Sequence, residues 1–230
     1  MGSALAPLPF TGRTPIAISQ LAPYNPNDPN SIEAIWQPQY DFQLYPAAGQ
    51  TQLLFFQVPQ GQGGKLLNDT NMNLAGQFPA PCAFLTTAIM VPFYPANTIL
   101  GAAGTQGAAA KTAAAATVAS NLNDTQIVAN TGWLTITIGS KIYLTDSPLG
   151  KFPPNYSVGG LQAAAGTYAA GTQIISDFAR AIGRYAEITP LLIPMNQNFV
   201  VGLYWPALTV ISTGGRIGVI LDGFYYRQSQ

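Results

Sequence analysis

Apolar positions along this chain recur mostly in twos or in short unbroken runs, the period of strands rather than helices. Trp133-Leu134-Thr135-Ile136-Thr137-Ile138 alternates cleanly, and Lys141-Ile142-Tyr143-Leu144 follows after only Gly139-Ser140. A two-residue Gly-Ser link between β-rich runs predicts a hairpin, with glycine supplying the positive φ of the turn. Gln52 to Val58 is a short apolar run closed by Pro59 and the glycines at 61, 63 and 64. Ala83 to Tyr94 is apolar almost without alternation, as in a strand buried on both faces. Four more β-rich runs, Glu187 to Ile193, Asn198 to Trp205, Leu208 to Ser212 and Ile217 to Leu221, are separated by Pro, Asn or Gly-Gly. This many short strands with turn punctuation predicts a mainly β protein, a β-sandwich of jelly-roll or similar type spanning 39–230.

Three stretches break the β pattern. Residues 1–38 carry prolines at 7, 9, 15, 23, 26, 29 and 38. Proline fixes φ and removes a ladder donor, so neither a helix nor a central strand should run through, and an extended N-terminal arm is expected. An Ala/Gly-rich insertion at about 101–130 contains Ala108 to Ser120, which has high helix propensity but almost no large side chain to bury. A second insertion at about 159–186 ends in Gly171 to Ala186, where Ile174, Ile175, Phe178, Ile182 and Tyr185 share one helical face. Asp177 can pair with Arg180 at i, i+3 on another side, which suits an exposed or interface surface.

Composition sharpens the picture. Charged residues are 8% of the 230 residues while hydrophobic ones reach 48%; an ordinary soluble domain has roughly 25% charged. A disordered chain shows the reverse pattern, so this one folds. With nine basic residues against nine acidic, it has a formal charge of zero and few charges to keep a free monomer dispersed. Much of its surface is therefore expected to be covered by copies of itself. The basic residues are scattered, with only Arg180 and Arg184 one helical turn apart, so strong direct nucleic-acid binding is not expected. The opening Met1 to Pro7 has no basic n-region or long apolar run, and Ala6 stands where myristoylation wants Ser or Thr. Pro92 and Pro95 interrupt the longest apolar stretch, and no membrane helix is expected. The protein should be made in a cytoplasm and stay there until lysis.

The search for chemistry is mostly negative. The chain has no His, which removes the commonest general base and rules out Ser-His-Asp, Cys-His and HExxH sites. Cys82 is the single cysteine, so no intrachain disulfide forms, and its apolar context suits a small buried hydrophobe. Gly61-Gln62-Gly63-Gly64-Lys65 fails as a phosphate loop, because Pro59 and Leu66 occupy the places of Gly and Ser/Thr. Asn68-Asp69-Thr70, Asn123-Asp124-Thr125 and Asn155-Tyr156-Ser157 fit the glycosylation tripeptide but read more simply as polar turns. Asn68, Asp69 and Asn71, or Asn121, Asn123 and Asp124, offer oxygens for a structural calcium ion. Neither stretch matches an EF-hand loop, and Asx turns account for both. An enzyme is not expected and no cofactor is implied. A carboxylate pair of the glycosidase type is the least favoured alternative.

The aromatic residues point elsewhere. Phe224-Tyr225-Tyr226 cannot all face inward if they form a strand, because side chains alternate, so at least one meets solvent, a second layer or a partner. Exposed aromatics with little charge nearby suit an interface. Candidate interface residues are Phe224, Tyr225, Tyr226, Arg180 and Arg184. The rival to self-association is a receptor- or carbohydrate-binding β-sandwich, such as a virion spike, using exposed Trp and Tyr.

The order of features also carries a resemblance. Gln77-Phe78-Pro79-Ala80 leads into Phe84 to Val91. The closing portion runs through Glu187 to Pro194, Asn198 to Val201, then Arg216-Ile217-Gly218-Val219-Ile220-Leu221-Asp222-Gly223 with Arg227 behind. This resembles the jelly-roll major capsid proteins of tailless icosahedral bacterial viruses, including lineages with an internal membrane. The resemblance implies a virion subunit that self-assembles in the host cytoplasm into trimeric or pseudo-hexameric capsomers. It implies contacts with other virion proteins or an internal membrane, and no catalytic residues.

Overall fold

The computed structural model describes residues 32–95, 123–152, 186–212 and 214–228. Within them lie ten strands: β1 (Ile32–Trp36), β2 (Gln39–Tyr45), β3 (Gln50–Phe55), β4 (Ala83–Met90), β5 (Phe93–Pro95), β6 (Trp133–Ile138), β7 (Lys141–Asp146), β8 (Ala186–Ile193), β9 (Phe199–Thr209) and β10 (Gly215–Gln228). A helix, α1, spans 123–131. The strands form two antiparallel sheets, a β-sandwich. One is six-stranded, with β1-β10-β4-β8 in line and β2 and β5 also on β10; the other runs β3-β9-β6-β7.

β10 organises the larger sheet. One flank pairs with β2 (Gly215↔Tyr45 to Leu221↔Gln39) and then with β1 (Phe224↔Trp36 to Gln228↔Ile32). The other flank pairs with β5 and then β4. Each flanking pair is one line of chain broken at a proline, Pro38 or Pro92, which cannot donate to the ladder. The free carbonyl of Pro92 still accepts from the Gly218 N–H at 2.9 Å.

The predicted strands fall in these elements, with instructive differences. The Gly139-Ser140 hairpin joins β6 to β7, and Gly139 has φ +60°. β4 is buried along its whole length, because both its faces are covered. The run 198–205, from Phe199 on, and the first two residues of 208–212 form one strand, β9, and residues 210–212 lie beyond it. Pro206 sits where β9 bulges against β3, between the pairs Gln52↔Tyr204 and Gln50↔Thr209, so it breaks no ladder bond there. β10 extends the 217–221 run through the C-terminal aromatics.

The arm expected over 1–38 gives way to strand at Ile32. β1 pairs on one side only, as an edge strand next to proline can. Residues 1–31, the helix expected at 108–120 and all but Ala186 of the stretch 159–186 lie outside the described residues.

The core lies between the sheets. At one end Phe78 stacks on Phe84 and Phe199, with ring centroids 5.5 and 5.4 Å apart, and Phe56 meets Phe199 at 5.3 Å. At the other end Tyr45 packs edge-on against Trp205 and Phe93. Its hydroxyl donates to the Thr209 carbonyl at 2.7 Å, and the Trp205 indole N–H to the Val128 carbonyl of α1 at 3.2 Å. Each such side chain contributes about 1.5–3 kcal/mol by burial, and their polar tips are satisfied.

β2 is inside out. Its core-side positions begin with Gln39 and Asp41, both buried, while Tyr40, Phe42 and Leu44 face away. Asp41 is fully buried; its Oδ2 accepts the Phe56 backbone N–H at 2.6 Å and its Oδ1 pairs with the Lys65 ammonium. Phe56 is held at φ +67°, where a bulky residue is strained, so the carboxylate fixes the turn leaving β3. Burial pushes the Asp41 carboxyl above its ordinary value, although Lys65 and the Phe56 and Thr70 hydrogen bonds pull it down.

Two outcomes follow from this packing. A Cβ at Gly223 would lie 1.9 Å from the Leu85 carbonyl oxygen. Gly223→Ala should therefore wedge β10 from β4 and cost about 3 kcal/mol or more in urea unfolding; a variant as stable as the parent would contradict the contact. For Asp41 the folded chain binds the proton more tightly than the unfolded one, so its contribution to stability falls as pH rises from about 4 upward. The stability difference between the wild type and Asp41→Asn, from urea titrations, should shrink across that window; a difference that grows with pH would contradict it.

Candidate interaction surfaces

The outward residues of β2 form one end of a patch on the outer face of the larger sheet. Register places Phe42 opposite Gly218, Leu44 opposite Arg216, and Arg216 opposite Tyr94. The Phe42 ring lies over Gly218, filling the space where a Cβ would stand. Tyr40 and Tyr94 flank it, each with its ring centroid 6.1 Å away. The Arg216 guanidinium sits 4.3 Å from the centre of the Phe42 ring and 2.9 Å from an Asp69 carboxylate oxygen. A cation over an aromatic face with a carboxylate behind it is an anchored, half-exposed arrangement. Around it Leu44 is 72% exposed, and Leu66 and Leu67 are exposed as well.

Beyond this patch, still on the outer face of β10, come the C-terminal aromatics expected at an interface. Tyr225 points inward, edge-on to Phe78 at 5.9 Å and beside Cys82. Burial and the Cys82 thiol push its hydroxyl well above the usual phenol range. Phe224 and Tyr226 face outward into a second apolar cluster with Ala83, Leu85 and Leu192. Tyr226 is only 4% exposed, so the outer face here is already covered. The exposed aromatic of this region is Trp36 of β1, which the sequence pattern missed; its indole N–H donates to Asp222 at 2.6 Å. Only the paired register of β1 and β10, remote in sequence, reveals it. Arg180 and Arg184 lie outside the described residues.

The smaller sheet also carries an aromatic pair on its outer face. Trp133 and Tyr204 are cross-strand partners, stacked with centroids 5.7 Å apart and planes 17° from parallel. Tyr204 leans over Gly202, the next outward position, where a side chain would collide with it. The outer edge of this sheet is β7, whose Ile142 and Tyr143 are exposed.

The proposed calcium ligands are largely engaged by protein donors. Asp69 accepts from Arg216 and from the Leu66 N–H, and Asn71 bridges the Tyr40 N–H and the Pro38 carbonyl. A guanidinium at that point also disfavours a cation. Asp124 is buried in α1 with its Oδ1 accepting from the Ser212 N–H and hydroxyl, while its Oδ2 has no hydrogen-bond partner; Asn121 lies outside the described residues. Among the described residues no three His, Cys, Asp or Glu gather as a metal site, and no helix is long and apolar enough to cross a membrane. No protein-family model, curated protein or solved structure matches the chain.

Proposed function

We propose that this chain is a structural subunit of an icosahedral viral shell, a jelly roll that works by packing against copies of itself. The observation that carries this reading is the inside-out β2: a strand that buries Asp41 and turns Tyr40, Phe42 and Leu44 outward is built to be covered. A monomer with 8% charged residues has little else to keep such a face dispersed. The wiring supports the fold assignment. The pairings β2·β10, β3·β9, β4·β8 and β6·β7 are nested in sequence, as when one long hairpin is rolled up. Orders of β2-β10-β4-β8 and β3-β9-β6-β7 are what rolling such a hairpin into a jelly roll would give, which supports that reading.

Jelly rolls serve shells, lectins and enzymes alike, so the function rests on the surfaces and not on the fold. On this reading the subunits form trimers or pseudo-hexamers in the host cytoplasm and then the virion, meeting other virion proteins or an internal membrane. The chain catalyses nothing, needs no cofactor and leaves the genome's phosphates to other components. A second reading has its own observation in its favour. The Trp133–Tyr204 pair, beside Gln52 and Thr135, is a surface on which a sugar ring could stack, as in a carbohydrate-binding spike.

Negative-stain microscopy with light scattering separates the two. The wild type should form uniform capsomers or closed shells, and Leu44→Asp, at an exposed position, should stay folded and fail to do so. A discrete small oligomer whose Trp fluorescence is quenched by oligosaccharide would favour the spike, and a monomer at high concentration would overturn the shell. Deleting residues 1–30 should leave the β circular-dichroism signal intact and weaken assembly; loss of that signal would place the segment in the fold itself.

A further inference from the structure

The four-stranded sheet ends in an edge strand that differs from the other edges of the sandwich. The β3 edge is occupied by side chains, since Gln43 Nε2 donates to the Leu54 carbonyl and Asp41 accepts from the Phe56 N–H. The β8 edge is interrupted by Pro190, and β1 is a short strand stopped by Pro38. β7 has no proline and, among the described residues, no side-chain cap. Among the described residues it pairs only with β6, and Ile142 on it is 66% exposed. An open edge of this kind is a template for another strand.

Its sequence specifies which strand. Lys141 and Asp146, at the two ends of β7, are five residues apart and would point to opposite faces of a regular strand. The register against β6 shifts between Ile136↔Leu144 and Thr137↔Ile142, so Tyr143 is an extra, bulged residue. The bulge puts Lys141, Leu144 and Asp146 on the core side, opposite Ile138, Ile136 and Leu134, and leaves Ile142 and Thr145 on the outer side. Two β7 strands laid antiparallel about a two-fold axis can then match face to face. Lys141 meets Asp146 of the second copy at both ends, Ile142 meets Thr145, and Leu144 meets its own copy at the axis, with Tyr143 left as the extra residue of each strand. Bulges usually blunt an edge; this one sets the two charges in register.

We infer that β7 is a homotypic contact, at which a second copy of this chain pairs β7 to β7 and extends the four-stranded sheet across a two-fold axis. Lys141 is exposed with no ion-pair partner among the described residues. Asp146 binds Lys151 through one oxygen at 2.6 Å, and that ammonium, with the Ser147 N–H, holds its carboxyl below the usual range. The second oxygen remains for the partner. Residues opposite each other at such a centre give specificity through charge as well as ladder bonds.

The contact stands apart from the shell reading, because it is tested on small oligomers. Sedimentation velocity over a concentration series should show a dimer for Leu44→Asp, in which the outer-face patch is disabled. Adding Lys141→Asp, or Asp146→Lys, places like charges opposite each other at both ends and should weaken that dimer about tenfold or more. Mixing the two charge variants should restore it as a heterodimer, because each brings the complement of the other. Circular dichroism and thermal melting of each variant confirm the fold. A dimer indifferent to both charge changes, no recovery on mixing, or no dimer at all would overturn the inference.

Discussion

Backbone pairing along β10 is the constraint on which the sandwich depends. This one strand holds β1 and β2 on one flank and β5 and β4 on the other, so it joins the two ends of the described chain to its middle. Its inward residues Ile217, Val219, Leu221 and Tyr225 supply the floor of the core, while its outward residues Arg216, Gly218, Phe224 and Tyr226 underlie the outer face. Ladder, core and candidate interface are thus set by alternation along a single strand. Gly215, Gly218 and Gly223 are where that strand gives up a side chain, for the backbone and ring of β5, for the Phe42 ring and for the backbone of β4.

Much of this was legible from the chain itself. The β6–β7 hairpin follows from clean alternation about Gly139-Ser140. β4 follows from an unbroken apolar run that only burial on both faces explains. What could not be read are the strands whose inward side is polar. β2 places Gln39 and Asp41 toward the core, and the Asp41 carboxylate is satisfied by Lys65, the Phe56 N–H and Thr70, partners distant in sequence. A hydrophobic pattern assigns such a strand to the wrong face or passes over it. β1 was hidden differently, as a five-residue edge between two prolines that needs only β10 to form.

The candidate surfaces divide along the same line. Composition raised the expectation that copies of the chain cover one another, and the C-terminal aromatics were the residues it pointed to. Alternation in β10 sends Tyr225 into the core, and Tyr226 is covered, so exposed apolar residues are found elsewhere, among them Leu44 on β2, Leu66 and Leu67, Trp36, Leu208 and Val210, and Ile142 and Tyr143 at the β7 edge. Residues of opposite charge at the two ends of β7 carry no signal in the sequence. They acquire one only when a bulge turns them to the same face.

A shell subunit must have its outer face and edges covered by copies of the chain. Oxidative side-chain footprinting, read residue by residue before and after assembly, tests this most directly. Leu44, Trp36, Ile142 and Tyr143 should label readily in the dissociated chain and become protected on assembly, while Phe84 and Leu134 stay protected throughout. Equal labelling of Leu44 and Ile142 in both states would mean that these surfaces face solvent in the working protein, and would contradict the account.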